Sequence, residues 1–411
     1  MILIWLICLI TPTIAAILLP VLYIRDNKHS LTYSLMTGFI FGVLAFAFIP
    51  VEGSTSDLVY YFTQIDFMTG VTLHEVLDFK NSRSSMVAAE IFYFMVNRLG
   101  NQHFLPAISM FITYAIATYI TTDLGKRLKI KRGKVLLILI IIFFILPFPS
   151  LVSNVRNIMA FSISLLAVYN DIVKKKRNIF TLSLYILPIF LHISSLLIII
   201  IRLLLFFYKG KGKILVLLLL VVSTFSSRLF EVLLNLIPNN ITILNEFTNK
   251  GLYYVSTNDS AYISYLQNSA FAQIEKVFFV SLAIFFVVTS LTLKKEKSLN
   301  ENFDNSYDNN KGLKEFNSFF LLLCVMVIAS IPVELTTYAR FSWATLITSP
   351  ILLLQVKFKM NIKNSNISFY TILLFIFGAG GLIHQVFLFI MMSEVPQTIT
   401  RMLQPTFLLF K

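Results

Sequence analysis

Two arginines stand where an anion could be held. Arg156 opens an apolar run after Ser153-Asn154-Val155, and Arg340 opens another after Thr337-Tyr338-Ala339. A guanidinium keeps its charge in any protein environment and forks two N–H donors onto phosphate oxygens. Together the pair could hold a lipid-linked diphosphate at headgroup depth. Each also has a plain alternative, a snorkelling side chain or an ion pair such as Arg340 with Glu334. His192 interrupts the apolar stretch Phe190-Leu191-His192-Ile193-Ser194. An imidazole there could act as general base or donate to a phosphate. Its alternative is a turn histidine satisfied by Ser194 or a backbone carbonyl. Asp57 is a second candidate base, and His384 near the end of the last apolar run is a weaker polar candidate. No histidine pair has metal-ligand spacing, no Cys/His cluster exists and no glycine-rich phosphate loop is present, so no metal and no cofactor are expected.

Two long polar segments accompany these residues, 51–102 and 238–273. The first carries Asp57, Tyr60, Tyr61, Arg83 and Glu90; the second carries Tyr253 and Tyr254 among many asparagines. Tyrosine stacks on the apolar face of a sugar ring and also hydrogen-bonds. Asn, Asp and Gln serve sugar hydroxyls in both directions. Such a surface suits a glycan, although interfacial tyrosines in a solvated loop look similar.

The elements that must position these groups are membrane helices. Of 411 residues, 57% are hydrophobic and only 13% charged, against about 45–50% and 25% in soluble domains. Runs near 20 apolar residues recur along the chain, each long enough for a ~30 Å hydrocarbon core. The expected spans are 2–24, 31–50, 103–122, 134–149, 157–172, 177–191, 193–208, 214–237, 274–293, 317–336, 342–356 and 368–391. The chain is thus expected to form one all-α, polytopic transmembrane domain, 1–411. The net charge of +14 reflects sidedness and not nucleic acid: 23 of the 34 lysines and arginines fall in alternate connections, which are therefore assigned to the cytoplasm. Both long segments then face outside, as do Arg156 and Arg340.

The same rule settles two local readings. Segment 84–98 is half-apolar, but a crossing there would put Lys126–Arg132 outside, so it reads as a re-entrant or interfacial helix. Segment 177–208 reads as a hairpin turning near Leu191-His192, because a single helix would put Lys209, Lys211 and Lys213 outside. Asn-rich 294–316 reads as a disordered cytoplasmic loop. Gly378-Ala379-Gly380-Gly381 reads as a close helix contact. Arg202, Arg228, Glu231, Glu275 and Lys276 are the charged groups that a transport pathway would need.

Four segments, in order, resemble the Wzy-type (EpsG-like) family of bacterial polysaccharide polymerases. They are Ser56-Asp57-Leu58-Val59-Tyr60-Tyr61, Val155-Arg156-Asn157-Ile158-Met159, Phe190-Leu191-His192-Ile193-Ser194 and Tyr338-Ala339-Arg340-Phe341-Ser342. Asn157 departs from the glutamine-like residue expected after the arginine. The resemblance implies a GT-C-like architecture of about 12 transmembrane helices. It implies a glycosyltransferase in the bacterial cytoplasmic membrane that joins undecaprenyl-diphosphate-linked oligosaccharides at the outer face. It needs no metal, and works beside a flippase and a chain-length regulator. Arg156, Arg340, His192 and Asp57 would be catalytic. Tyr60, Tyr61, Arg83, Glu90, Tyr338, Tyr253 and Tyr254 would bind substrate. A repeat-unit flippase and a lipid-to-acceptor glycan ligase are the alternatives.

Overall fold

The structure, a computed structural model, describes residues 6–7, 10–25, 30–51, 57–78, 87–207, 269–295, 307–330, 337–363 and 368–410. Helices α1 (Pro12–Arg25) and α2 (Ser30–Ala47) form the first pair. Helix α2 lies hard against α6 (Phe104–Arg127). A Cβ added at Gly38 would sit 2.5 Å from the Phe111 carbonyl oxygen, and one at Gly42 would sit 2.9 Å from that of Ala107. Without a water-driven hydrophobic effect between helices, such small residues let backbones approach and gain dispersion contacts.

Between α2 and α6 lie three short helices, α3 (Asp57–Asp66), α4 (Leu73–Leu77) and α5 (Val87–Arg98). Thr72 and Glu75 start α4 with a reciprocal capping box. Asn97 Nδ2 donates to the Ile65 carbonyl at 2.9 Å and Arg98 Nη2 to that of Val71 at 2.8 Å, which holds α5 against the α3–α4 corner. Helix α5 has 12 residues. At 1.5 Å per residue it is about 18 Å long, too short for a ~30 Å core.

The centre of the molecule is α9 (Val155–Val168), reached through α7 (Arg132–Ile145) and the six-residue α8 (Phe148–Ser153). Apolar and small residues occupy nearly every side of α9, and the helix is buried almost all round. Ser109 Oγ donates to the Val155 carbonyl at 2.8 Å and Ser162 Oγ to Thr113 Oγ1 at 3.2 Å, tying α6 to α9. The helix runs on into a π-helical turn, Tyr169–Val173.

Residues 177–207 form the expected hairpin. Helices α10 (Ile179–Leu191) and α11 (Ser195–Phe207) each have 13 residues, and His192 between them is extended at φ −157°, ψ 122°. The return direction is fixed by Arg202, whose Nε donates at 2.6 Å to Asp171, at the end where α10 begins.

The remaining long helices are α12 (Ala270–Lys295), α13 (Tyr307–Ser330), α14 (Thr337–Lys363) and α15 (Ser368–Met392). Asn317 and Gln355 join α13 to α14 by two amide hydrogen bonds, both 2.9 Å. The segment 294–316, expected to be disordered, is helical from Tyr307 onward. Leu313 and Phe316 are buried one turn apart, and Glu315 pairs with Lys175 and Arg202, contacts hidden by the polar composition. Gly381 does make the expected close contact: a Cβ there would meet Ile145 Cα at 2.6 Å. Finally α16 (Val395–Leu403) and α17 (Thr406–Leu409) fold back on α2, with Arg401 Nη2 donating to the Phe46 carbonyl at 3.2 Å.

Among the described residues the fold is all-helical, with one isolated bridge between Pro50 and Ser393. Helices occupy every expected apolar segment within those residues; 214–237 lies outside them. Five are long and apolar enough to cross a membrane: Ser30–Ala47, Phe104–Arg127, Ala270–Leu293, Gly312–Ser330 and Tyr370–Met392.

The α2–α6 contact yields a direct test. Gly38→Val should cost roughly 1–3 kcal/mol through overpacking, read as a lower unfolding midpoint in detergent. Gly133→Ala, where an added Cβ meets nothing within 4 Å, should be neutral or slightly stabilising.

Candidate active site

The cluster forms where α9 begins. Asn154, at φ −102° and ψ 44°, turns the chain between α8 and α9, so Arg156 emerges in the first turn of the buried helix. Its Cζ lies 4.8 Å from the centroid of the Tyr61 ring and 5.9 Å from that of Tyr93. Those rings stack, 5.9 Å apart and inclined by 28°. Tyr61 comes from α3 and Tyr93 from α5, so the corner between α2 and α6 supplies the aromatic faces that a desolvated guanidinium favours. Among the described residues, Arg156 Nε and the Tyr93 hydroxyl are buried without a hydrogen-bond partner. Tyr60 packs beside Tyr61 and is exposed.

Arg340 enters from the first turn of α14. Its charge and that of Arg156 both act on Asp57, the first residue of α3, and on Tyr61. Burial holds the Asp57 carboxyl above its ordinary value, because the pull of Arg340 and Arg156 only partly opposes desolvation. A carboxylate so placed is a stronger base than an exposed one. Burial also pushes the Tyr61 and Tyr93 phenols up, so both remain O–H groups at neutral pH. Glu90, one turn before Tyr93 on α5, bears on the same ring.

His192 joins the cluster through a polar chain. Its Nδ1 is 2.6 Å from Ser194 Oγ, and that hydroxyl donates to Asn157 Oδ1 at 2.9 Å. The hairpin tip is thereby fastened to the residue after Arg156. With Nδ1 engaged, chemistry at this imidazole falls to Nε2, as lone pair or as N–H.

The structure thus brings together Arg156, Arg340, Asp57, Tyr60, Tyr61, Glu90 and His192. Tyr338 is buried two residues before Arg340. Arg83, Tyr253 and Tyr254 lie outside the described residues. Sequence reasoning missed Tyr93 and the Ser194–Asn157 link. The signal for Tyr93 was its i, i+3 spacing from Glu90 within a stretch weighed only as a possible span.

Other charged groups stay apart from this cluster. His384 packs between Phe271 and Phe278, with Nε2 3.4 Å from Glu275, and belongs to the α12–α15 contact. Arg202 pairs with Asp171 and lies 3.2 Å from Glu315, while Arg177 Nε donates to Asp171 at 2.7 Å. Of the groups named for a transport pathway, Arg202 is held in an ion pair between packed helices and Glu275 lies beside His384; Arg228 and Glu231 lie outside the described residues.

A family model described as the EpsG family matches residues 59–387. The chain belongs to the EpsG family. No curated protein and no solved structure matches it. The EpsG match spans Tyr60, Tyr61, Tyr93, Arg156, His192 and Arg340 and begins two residues after Asp57; it leaves out α16 and α17. With its long apolar helices, this EpsG protein is an all-α, multi-pass membrane protein.

If the Arg202 network is structural, breaking it should cost stability. Asp171→Ala leaves Arg202, its side chain only 5% exposed, short of a main partner. The expected loss is about 3–5 kcal/mol, seen as a large fall in the unfolding midpoint.

Proposed function

We propose that this EpsG protein is a polysaccharide polymerase. It joins undecaprenyl-diphosphate-linked repeat units at the outer face of the bacterial cytoplasmic membrane. One observation carries the reading: two arginines, a half-buried carboxylate and stacked tyrosines, from four separate parts of the chain, meet at one end of the bundle. The opposite end holds Arg132 and the Lys174–Arg177 run, and this distribution of positive charge supports an outward-facing cluster. About 12 spans and a GT-C-like arrangement suit this topology.

The chemistry follows from the charges. A hydroxyl oxygen of the acceptor sugar attacks the anomeric carbon of the donor. The bond from that carbon to the diphosphate oxygen breaks, and undecaprenyl diphosphate departs with the electron pair. Arg156 and Arg340 stabilise the negative charge that grows on the leaving oxygens. Asp57 accepts the hydroxyl proton, favoured by its raised basicity. His192 Nε2 orients the diphosphate or shares the proton. Tyr60, Tyr61, Tyr93, Tyr338 and Glu90 hold sugar, with Arg83, Tyr253 and Tyr254 extending the surface.

Arg156→Ala and Arg340→Ala should each lower polymerisation by at least about 100-fold. Lipid-linked glycans from cells with either variant should show single repeat units on the outer face and no long polymer. Repeat units trapped on the cytoplasmic face would instead mark a flippase, and long polymer left on lipid a ligase.

The pH dependence separates the two candidate bases. The base must be deprotonated to act, so a raised Asp57 pKa moves the acid limb of the rate profile above the ordinary carboxylate value of about 3.9. Arg340→Gln removes a charge that lowers this pKa, so the limb of its residual activity should move further up. A limb that survives Asp57→Asn unchanged assigns the proton to His192.

A further inference from the structure

At the basic end of the bundle, four helices leave a groove open between them. Helices α7, α12, α14 and α15 line an open groove with a cavity volume of about 70 Å³. Ile138, Phe285, Leu353 and Leu374 make its walls apolar; Lys134, with the hydroxyl of Tyr370, stands among the lining residues. Among the described residues no carboxylate lines it. The helix ends around the mouth are basic in sequence. Helix α7 starts Arg132-Gly133-Lys134 after Lys131, α12 ends at Lys294-Lys295, and α14 ends through Lys357, Lys359 and Lys363.

We propose that this groove binds an anionic phospholipid from the leaflet facing the basic end. Part of one acyl chain lies along the apolar slot, and the headgroup phosphate meets Lys134. The ammonium carries three donors, so it can serve a phosphate beside a protein partner. Charge selects the occupant: a zwitterionic lipid fits the slot equally well but brings its own cation to a groove that Lys134 lines. Basic pockets between membrane helices hold anionic headgroups on this principle. The lipid wedges α15 against α7, where the fold otherwise leaves space. This site is separate from the tyrosine–arginine cluster and does not depend on the polymerase reading.

The test uses the purified full chain in detergent, with native mass spectrometry and thermal unfolding as readouts. Dioleoylphosphatidylglycerol should bind saturably at about ten-fold lower concentration than dioleoylphosphatidylcholine and raise the unfolding midpoint. Lys134→Gln should weaken that binding about five-fold. Lys126→Gln, exposed at the same end but off the groove, should not. Leu374→Trp, filling the slot, should remove binding while leaving the lipid-free midpoint near that of the parent. Equal binding of the two lipids overturns the proposal, as does equal weakening by Lys126→Gln and Lys134→Gln. Saturable binding of undecaprenyl phosphate alone also overturns it.

Discussion

A guanidinium that cannot give up its charge is placed in the first turn of a helix buried almost all round. Desolvating such an ion is costly, and arginine has no neutral form to retreat to. Everything around Arg156 answers that cost. Two tyrosine faces from α3 and α5 lie within 6 Å of its Cζ, and the Asp57 carboxylate lies within reach of its charge. Those partners come from the polar segment between α2 and α6. The corner built by Asn97 and Arg98 is therefore a device for bringing rings and a carboxylate to the mouth of the bundle.

The transmembrane part serves the same point from below. Helix α9 is held on one side by α6, through serine and threonine hydroxyls, and on another by the short hairpin α10–α11. Two 13-residue helices reach about 20 Å, enough to carry His192 from the basic end to the level of Asn157. A full-length span would have carried the histidine past it. The ion pairs of Asp171 with Arg202 and Arg177 anchor the foot of the hairpin and so set where its tip stops.

Much of this was legible in the sequence because charge obeys a rule in membranes and its exceptions stand out. The lysines at 209–213 forced the hairpin reading, and the scarcity of positive charge on the other side made Arg156 and Arg340 conspicuous. Asp57 and Tyr61 could be named from the polar segment that carries them. Tyr93 could not, because an aromatic residue in a half-apolar stretch carries no sign of which face it presents. The Ser194–Asn157 link joins residues 37 apart, a contact that only the hairpin geometry creates. The helical start of α13 was hidden for a related reason. Composition reads Tyr307–Phe316 as solvated, whereas Glu315 is held by cations from the π-helical connection and from α11.

The two ends of the bundle use the same residue types to opposite effect. At the basic end, arginine meets carboxylate directly: Arg202 and Arg177 both bond Asp171, and Glu315 closes the set with Lys175. Charges matched at bonding distance give a rigid joint and little affinity for a further ion. At the other end, Arg156 and Arg340 act on Asp57 as field more than as bond, and burial still leaves that carboxyl more basic than usual. Aromatic faces satisfy Arg156 without neutralising it. A cation so held keeps its positive potential for an incoming anion, and a carboxyl so held keeps its appetite for a proton. A group-transfer site with a diphosphate leaving group needs both properties side by side. Substituting a tight Arg–Asp bond for the tyrosine stack would strengthen the fold locally and remove them together.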